Sequence, residues 1–204
     1  MALLLCALAA APAAAQSDSS TLRVREAAAA LVRGNVDQAI TIYGEVLEDK
    51  SLPNDRRATI LNDRGVAFSR RQQQKEAIED FNRAIQLYPE YAAVYNNRGN
   101  VLARLGKRPE GVACYRQAIQ LMPNYADAYA NLGSVLMDLG EADEAEASMR
   151  RAVELQPGAS NFCTRLFNEL CSGFIAQTRS FNLFTIAFAE CWIIFSEFST
   201  LSAC

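Results

Sequence analysis

The chain has 204 residues, half of them apolar, and 20 lysines and arginines stand against 23 aspartates and glutamates for a formal charge of −3. That is core material for one or two domains, without the basic excess that nucleic-acid binding demands. Histidine is absent, which removes the commonest general base, the Ser–His and Cys–His dyads and the usual zinc ligands together, so no enzyme, metal site or cofactor is expected.

The chain opens with an apolar run from Leu3 to Ala10, a break at Pro12, and Ala13-Ala14-Ala15, which fits the small-x-small rule of signal peptidase. Residues 1–15 therefore read as a signal peptide and 16–19 as a linker, with export to the periplasm or the cell exterior as the expectation. The first basic residue is Arg23, so the positively charged start of such a leader is missing. Leu3-Leu4-Leu5 before Cys6 lacks the small residue that lipid anchoring needs there.

The strongest signal is a period. Gly65, Gly99 and Gly133 lie 34 residues apart, as do Phe81, Tyr115 and Met149, and Pro89, Pro123 and Pro157. In the copy at 92–125, Tyr95, Arg98, Gly99 and Leu102 recur at i, i+3, i+4 and i+7 and so share one helix face. Gly106 suits the left-handed turn that follows. Glu110 to Leu121 form a second helix, with Tyr115, Ala118 and Ile119 inward, and Pro123 stops it. Pro109 is tolerated in its first turn. Gly99 falls where the two helices approach most closely, and a larger side chain there would part them.

This pattern resembles the tetratricopeptide repeat (TPR), a helical hairpin of 34 residues. It is carried by Leu61, Arg64-Gly65, Phe68, Ala77, Phe81 and Pro89, then by Tyr95, Arg98-Gly99, Leu102, Gly111, Tyr115 and Pro123. The third copy has Tyr129, Leu132-Gly133, Leu136, Ala145, Met149 and Pro157. Arg64 and Arg98 stand where leucine is more usual and Gly111 where alanine is expected, so weaker packing is expected at those three places. The resemblance assigns regular hairpins to 58–91, 92–125 and 126–159. Gly34 to Ile40 and Tyr43 match the turn and second helix of the same unit, which makes 20–57 a degenerate N-terminal hairpin, its first helix at Thr21–Arg33. The fold class implied is all-α, a solenoid of stacked antiparallel hairpins winding as a right-handed superhelix and stabilised by neighbour contacts.

After Ala159 the composition changes. Eight of ten phenylalanines, four of six cysteines and the single tryptophan lie in 161–204, and all seven tyrosines precede it. Continuing the frame places Phe167 and Arg179 where a glycine and an alanine are needed, so the repeat stops. Phe162, Leu166, Leu170 and Phe174 share a helical face, which suggests an atypical helical tail over 160–204 that caps the stack. The alternatives are a peripheral membrane contact, a self-association surface, or an out-of-frame segment. The apolar run Leu183–Phe195 contains Glu190 and falls short of the roughly 20 residues of a membrane span. With the leader removed, Cys114, Cys163, Cys171, Cys191 and Cys204 remain, and no C-x-x-C pair occurs.

In the family, the first helix of each hairpin lines a concave groove that accepts an extended peptide or a helix. The resemblance thus implies a non-catalytic scaffold with a protein or peptide partner. It places Asn62 and Asp63, then Asn96, Asn97 and Asn100, then Asn131 and Ser134 along that groove, where amides could hydrogen-bond a partner's backbone. Asn97 matches one asparagine of the basic clamp by which some relatives hold a C-terminal carboxylate. Asn62, Val66, Asp127 and Asn131 stand where that clamp needs lysine, asparagine, lysine and arginine, so it is not expected here.

Overall fold

The structure is a computed structural model whose described residues run from 11 to 156, with side chains described from Ser19 onward. Among them are eight α-helices and no strand: α1 (Ala11–Val32), α2 (Val36–Leu47), α3 (Asn54–Arg70), α4 (Gln74–Leu87), α5 (Ala92–Arg104), α6 (Arg108–Leu121), α7 (Ala126–Leu139) and α8 (Ala142–Leu155). The chain divides into two compact units, the first ending at Pro123 and the second starting at Asn124. The whole 160–204 tail and Pro157 lie outside the described residues.

In the first unit each odd helix folds back on the even helix after it, and hairpin stacks on hairpin through α2 against α3 and α4 against α5. The first helices also meet one another, α1 with α3 and α3 with α5. The interior is built from the periodic positions. Leu61, Phe81, Val94, Val101 and Tyr115 are fully buried, with Ala58, Ala77, Ala84 and Ala118 between them. Gly34 and Gly106 adopt φ of +85° and +79° at the turns, and Gln72, between α3 and α4, takes the same left-handed conformation at +67° despite its side chain. α4 and α6 end at Leu87 and Leu121, because Tyr88 and Met122 precede prolines and are driven to extended backbone.

The small–aromatic pairing sets how closely each hairpin closes. A Cβ at Gly65 would stand 2.6 Å from Phe81 Cε1, and one at Gly99 would stand 2.7 Å from Tyr115 Cε1. Each ring lies flat in the space that glycine leaves, 16 residues along the chain. Gly99→Leu is therefore expected to cost about 1–3 kcal/mol through overpacking, read as a lower urea midpoint. An unaltered midpoint would mean that α5 and α6 do not touch there. Gly111, the exception to the alanine rule, faces the Gly99 carbonyl, and a Cβ would come within 3.2 Å of it.

Two expectations are corrected. Arg64 does not stand unpartnered in the place of leucine. Its Nε and Nη2 donate to the two carboxylate oxygens of Asp80 on α4 at 2.7 and 2.8 Å, and its guanidinium lies 5.6 Å from the centre of the Phe68 ring. One period on, Arg98 aims Nε and Nη2 at Cys114 Sγ, both at 3.4 Å, and donates through Nη1 to Asn82 Oδ1 at 2.9 Å. The half-buried arginine thus carries its partner with it. The second correction concerns the start. The 16–19 linker is not a break but part of α1, which runs ten residues further toward the N-terminus than Thr21. Its alanine-rich composition has high helix propensity with little face pattern, so periodicity could not find its beginning.

Neighbouring hairpins are also tied by a contact that the motif does not contain. Arg70 Nη1 donates to the Leu31 carbonyl at 3.2 Å, and Arg104 Nη2 donates to the Ser69 carbonyl at 3.2 Å. Both arginines occupy the last turn of a first helix and reach the last turn of the first helix before it. There they add a second donor to carbonyls that already accept the turn amides of Gly34 and Gln72, and place positive charge at the negative end of the helix.

The second unit repeats the hairpin with α7 and α8. A Cβ at Gly133 would meet Met149 Cγ at 2.5 Å and the Ala145 carbonyl at 3.0 Å, so an unbranched thioether fills the place of the ring. Leu132, Gly133, Leu136, Ala145 and Met149 are buried, and Gly140 closes α7 at φ +82°.

Candidate functional site

The residues expected along the groove come from α3 and α5, adjacent first helices of the first unit. Their spacing puts Asn62 beside Asn97 rather than beside Asn96. Asn97 Nδ2 donates to Asn62 Oδ1 at 2.9 Å, and Asn62 Nδ2 donates to Asp63 Oδ1 at 3.2 Å. The three side chains form a continuous polar chain across the helix pair. Asn62 and Asn96 are each only 5% exposed, so they belong to the foundation of this face more than to its surface. Asn97 and Asn100 are half-buried. Asn100 Oδ1 accepts the Tyr115 hydroxyl at 2.8 Å, which fixes the ring that packs on Gly99.

The structure places these amides on α3, α5 and α7 and gives them less freedom than the sequence reading assumed. Asn62, Asn97 and Asn100 already hold one another or a tyrosine, and Asn96 and Asn131 have polar partners as well. Each bond orients an amide and satisfies a buried polar group. In the second unit Asn131 and Ser134 are half-buried on α7.

Asp63 was placed in the groove by the sequence, but its desolvation was not. Asp63 is half-buried on α3, and burial raises its carboxyl above the usual carboxylate range, against the lowering effect of the Asn62 hydrogen bond. Tyr43 of α2 is pushed up to about 12, first by burial and then by the charge of Asp63. Tyr91, which precedes α5, is raised by the same two causes in the same order. The signal available in the sequence was that Asp63 occupies the position of Asn97 and Asn131 in the period, an acid among amides.

No group of three or more cysteine, aspartate and glutamate side chains among the described residues is arranged to hold a metal ion. No described helix is long and apolar enough to cross a membrane.

Comparison with known proteins supports the period directly. Family models described as tetratricopeptide repeat and TPR repeat match residues 96–160 and 65–106. Residues 65–160 are tetratricopeptide repeats. No curated protein matches its sequence. Among solved structures, the crystal structure of MamA is similar at 21% identity and a TM-score of 0.66, covering 85% of this chain and 96% of that one. PilF of Pseudomonas aeruginosa is similar at 19% identity and a TM-score of 0.73, over 90% of this chain and 78% of that one. The second TPR domain of human RPAP3, in complex with the HSP70 peptide SGPTIEEVD, matches at 28% identity and a TM-score of 0.54, over 57% of this chain and 97% of that one.

Proposed function

We propose that this TPR protein is a non-catalytic scaffold that holds an extended peptide or a helix of a partner protein against the face of α3 and α5. The observation that carries the reading is the polar chain Asn97–Asn62–Asp63, with Tyr115 holding Asn100 beside it. Side chains fixed in this way lose little further freedom on binding, so the face is preorganised. The second TPR domain of RPAP3 in its complex with the HSP70 peptide supports peptide binding as the general role. The acidic character of that peptide does not carry over, since Asn62, Val66, Asp127 and Asn131 supply no basic clamp.

The test is capture of partners by the purified chain, identified by mass spectrometry and then measured one by one. Asn97→Ala is expected to weaken a genuine groove partner by about tenfold, about 1.4 kcal/mol, with the helical circular dichroism spectrum retained. Capture that is indifferent to Asn97→Ala and to Asn131→Ala with the fold intact would reject the groove.

The leader-like segment 1–15 supports export as the setting for this role. A periplasmic or secreted product whose N-terminus is Gln16 is the expected result, and a product that keeps Met1 would remove that part of the reading.

A further inference from the structure

Charge is not spread evenly over the first unit. The turns inside its hairpins carry Arg33, then Arg70, Arg71 and Lys75, then Arg104, Lys107 and Arg108, against Asp37, Glu76 and Glu110. The opposite ends of the same hairpins are balanced, with Glu48, Asp49, Asp55 and Glu90 beside Lys50, Arg56 and Arg57. Side chains join the basic turns into one edge. Arg70 Nη1 reaches the Leu31 carbonyl near the end of α1, and Arg71 Nη1 meets Asp37 of α2 at 2.7 Å. Arg104 Nη2 crosses to the turn before it, reaching Ser69 Oγ at 2.7 Å and Gln74 Oε1 at 3.0 Å.

Arg33, Arg70, Lys75, Arg104 and Lys107 are exposed. Among the described residues neither Arg33 nor Lys75 forms an ion pair, and Arg70 and Arg104 bond only neutral oxygens. Two aliphatic side chains stand among these cations, Val32 at 85% exposed and Leu105 at 46%. The sign reverses in the second unit, where Asp138 and Glu141 hold the repeat positions of Arg104 and Lys107. The basic edge therefore belongs to the first unit.

Turn tips project, so a bound peptide would find no walls there, whereas a flat surface meets all three turns at once. Each lysine or arginine close to an anionic lipid surface adds attraction. Aliphatic side chains between them gain by entering the boundary of headgroups and acyl chains. We propose that this edge docks the first unit on an anionic phospholipid bilayer, with the cations among the phosphates and Val32 and Leu105 in the interface. Asn62 and Asn97 lie about two helical turns back from Arg70 and Arg104, so the edge is separate from the groove and leaves it open to a partner.

Flotation of the full chain with lipid vesicles provides the test. Partition onto phosphatidylcholine vesicles containing phosphatidylglycerol is expected to exceed that onto phosphatidylcholine alone by at least about tenfold, and to fall as sodium chloride is raised. Arg33→Gln combined with Lys75→Gln and Lys107→Gln breaks no tie between hairpins and should lower the anionic partition by about tenfold or more. Val32→Asn with Leu105→Asn should lower it by about threefold or more, and both variants should keep the helical circular dichroism spectrum. Equal partition onto neutral vesicles overturns the proposal, because the apolar ends of the chain would then do the binding. So does a triple variant that partitions as the parent does. It is equally overturned if an oligoglutamate peptide strips the parent from the vesicles at glutamate concentrations below that of the lipid, since the edge would then prefer an acidic polypeptide.

Discussion

Asp80→Ala is expected to destabilise the first unit by about 3 kcal/mol, at the lower end of the cost of breaking a buried ion pair. The Asp80 side chain is 4% exposed and Arg64 18%, so deleting the carboxylate leaves a mostly buried guanidinium with no counter-charge. Partial relief comes from the Phe68 ring beneath it, which is why the low end applies. The informative comparison is Arg64→Leu with Asp80→Ser, which copies the buried Leu132 and Ser148 of the third hairpin. Removing both charges removes both desolvation costs, so the double variant should lie within about 1 kcal/mol of the parent. Urea midpoints measure both. A double variant as unstable as Asp80→Ala would show that the pair is not an exchangeable packing solution.

Phe81→Ala should be at least as damaging, by about 3–5 kcal/mol, the range for truncating a buried aromatic. The ring is fully buried among Ala58, Leu61, Ala77, Ala84, Val94 and Val101. It also occupies the space left open by Gly65, where no side chain can move in. Collapse of the cavity would require α3 and α4 to move toward each other, because Gly65 has no side chain that could fill it. A loss under about 1 kcal/mol, measured by the same denaturation, would mean that the hairpin does not depend on the ring-over-glycine contact.

The architecture was legible because it is repetitive. Gly65 with Phe81, Gly99 with Tyr115 and Gly133 with Met149 state the same contact three times, and the left-handed Gly106 and Gly140 mark the same turn twice. What the sequence concealed are contacts that a single position cannot show. Arg64 looks like a defect until Asp80 is placed across from it, and nothing about either residue alone announces the pair. The groove asparagines were assigned by position, but position alone does not say whether an amide faces solvent or its neighbour, and Asn62 and Asn97 face each other. Asp63 was legible as a residue in the groove and illegible as a desolvated charge, since its burial depends on what packs around α3 and not on α3 alone.

Repetition brings a hazard, because any first helix could close on the wrong second helix by slipping one period. The chain labels its hairpins chemically against that mistake. Arg64 meets Asp80, Arg98 meets Cys114, and Leu132 shares its hairpin with Ser148. Were α3 to close on α6, the guanidinium of Arg64 would face a thiol and Asp80 would be stranded in an apolar seam, at the cost of an unpaired buried charge. Three copies of one geometry therefore carry three different keys, and only the native order of helices fits them all.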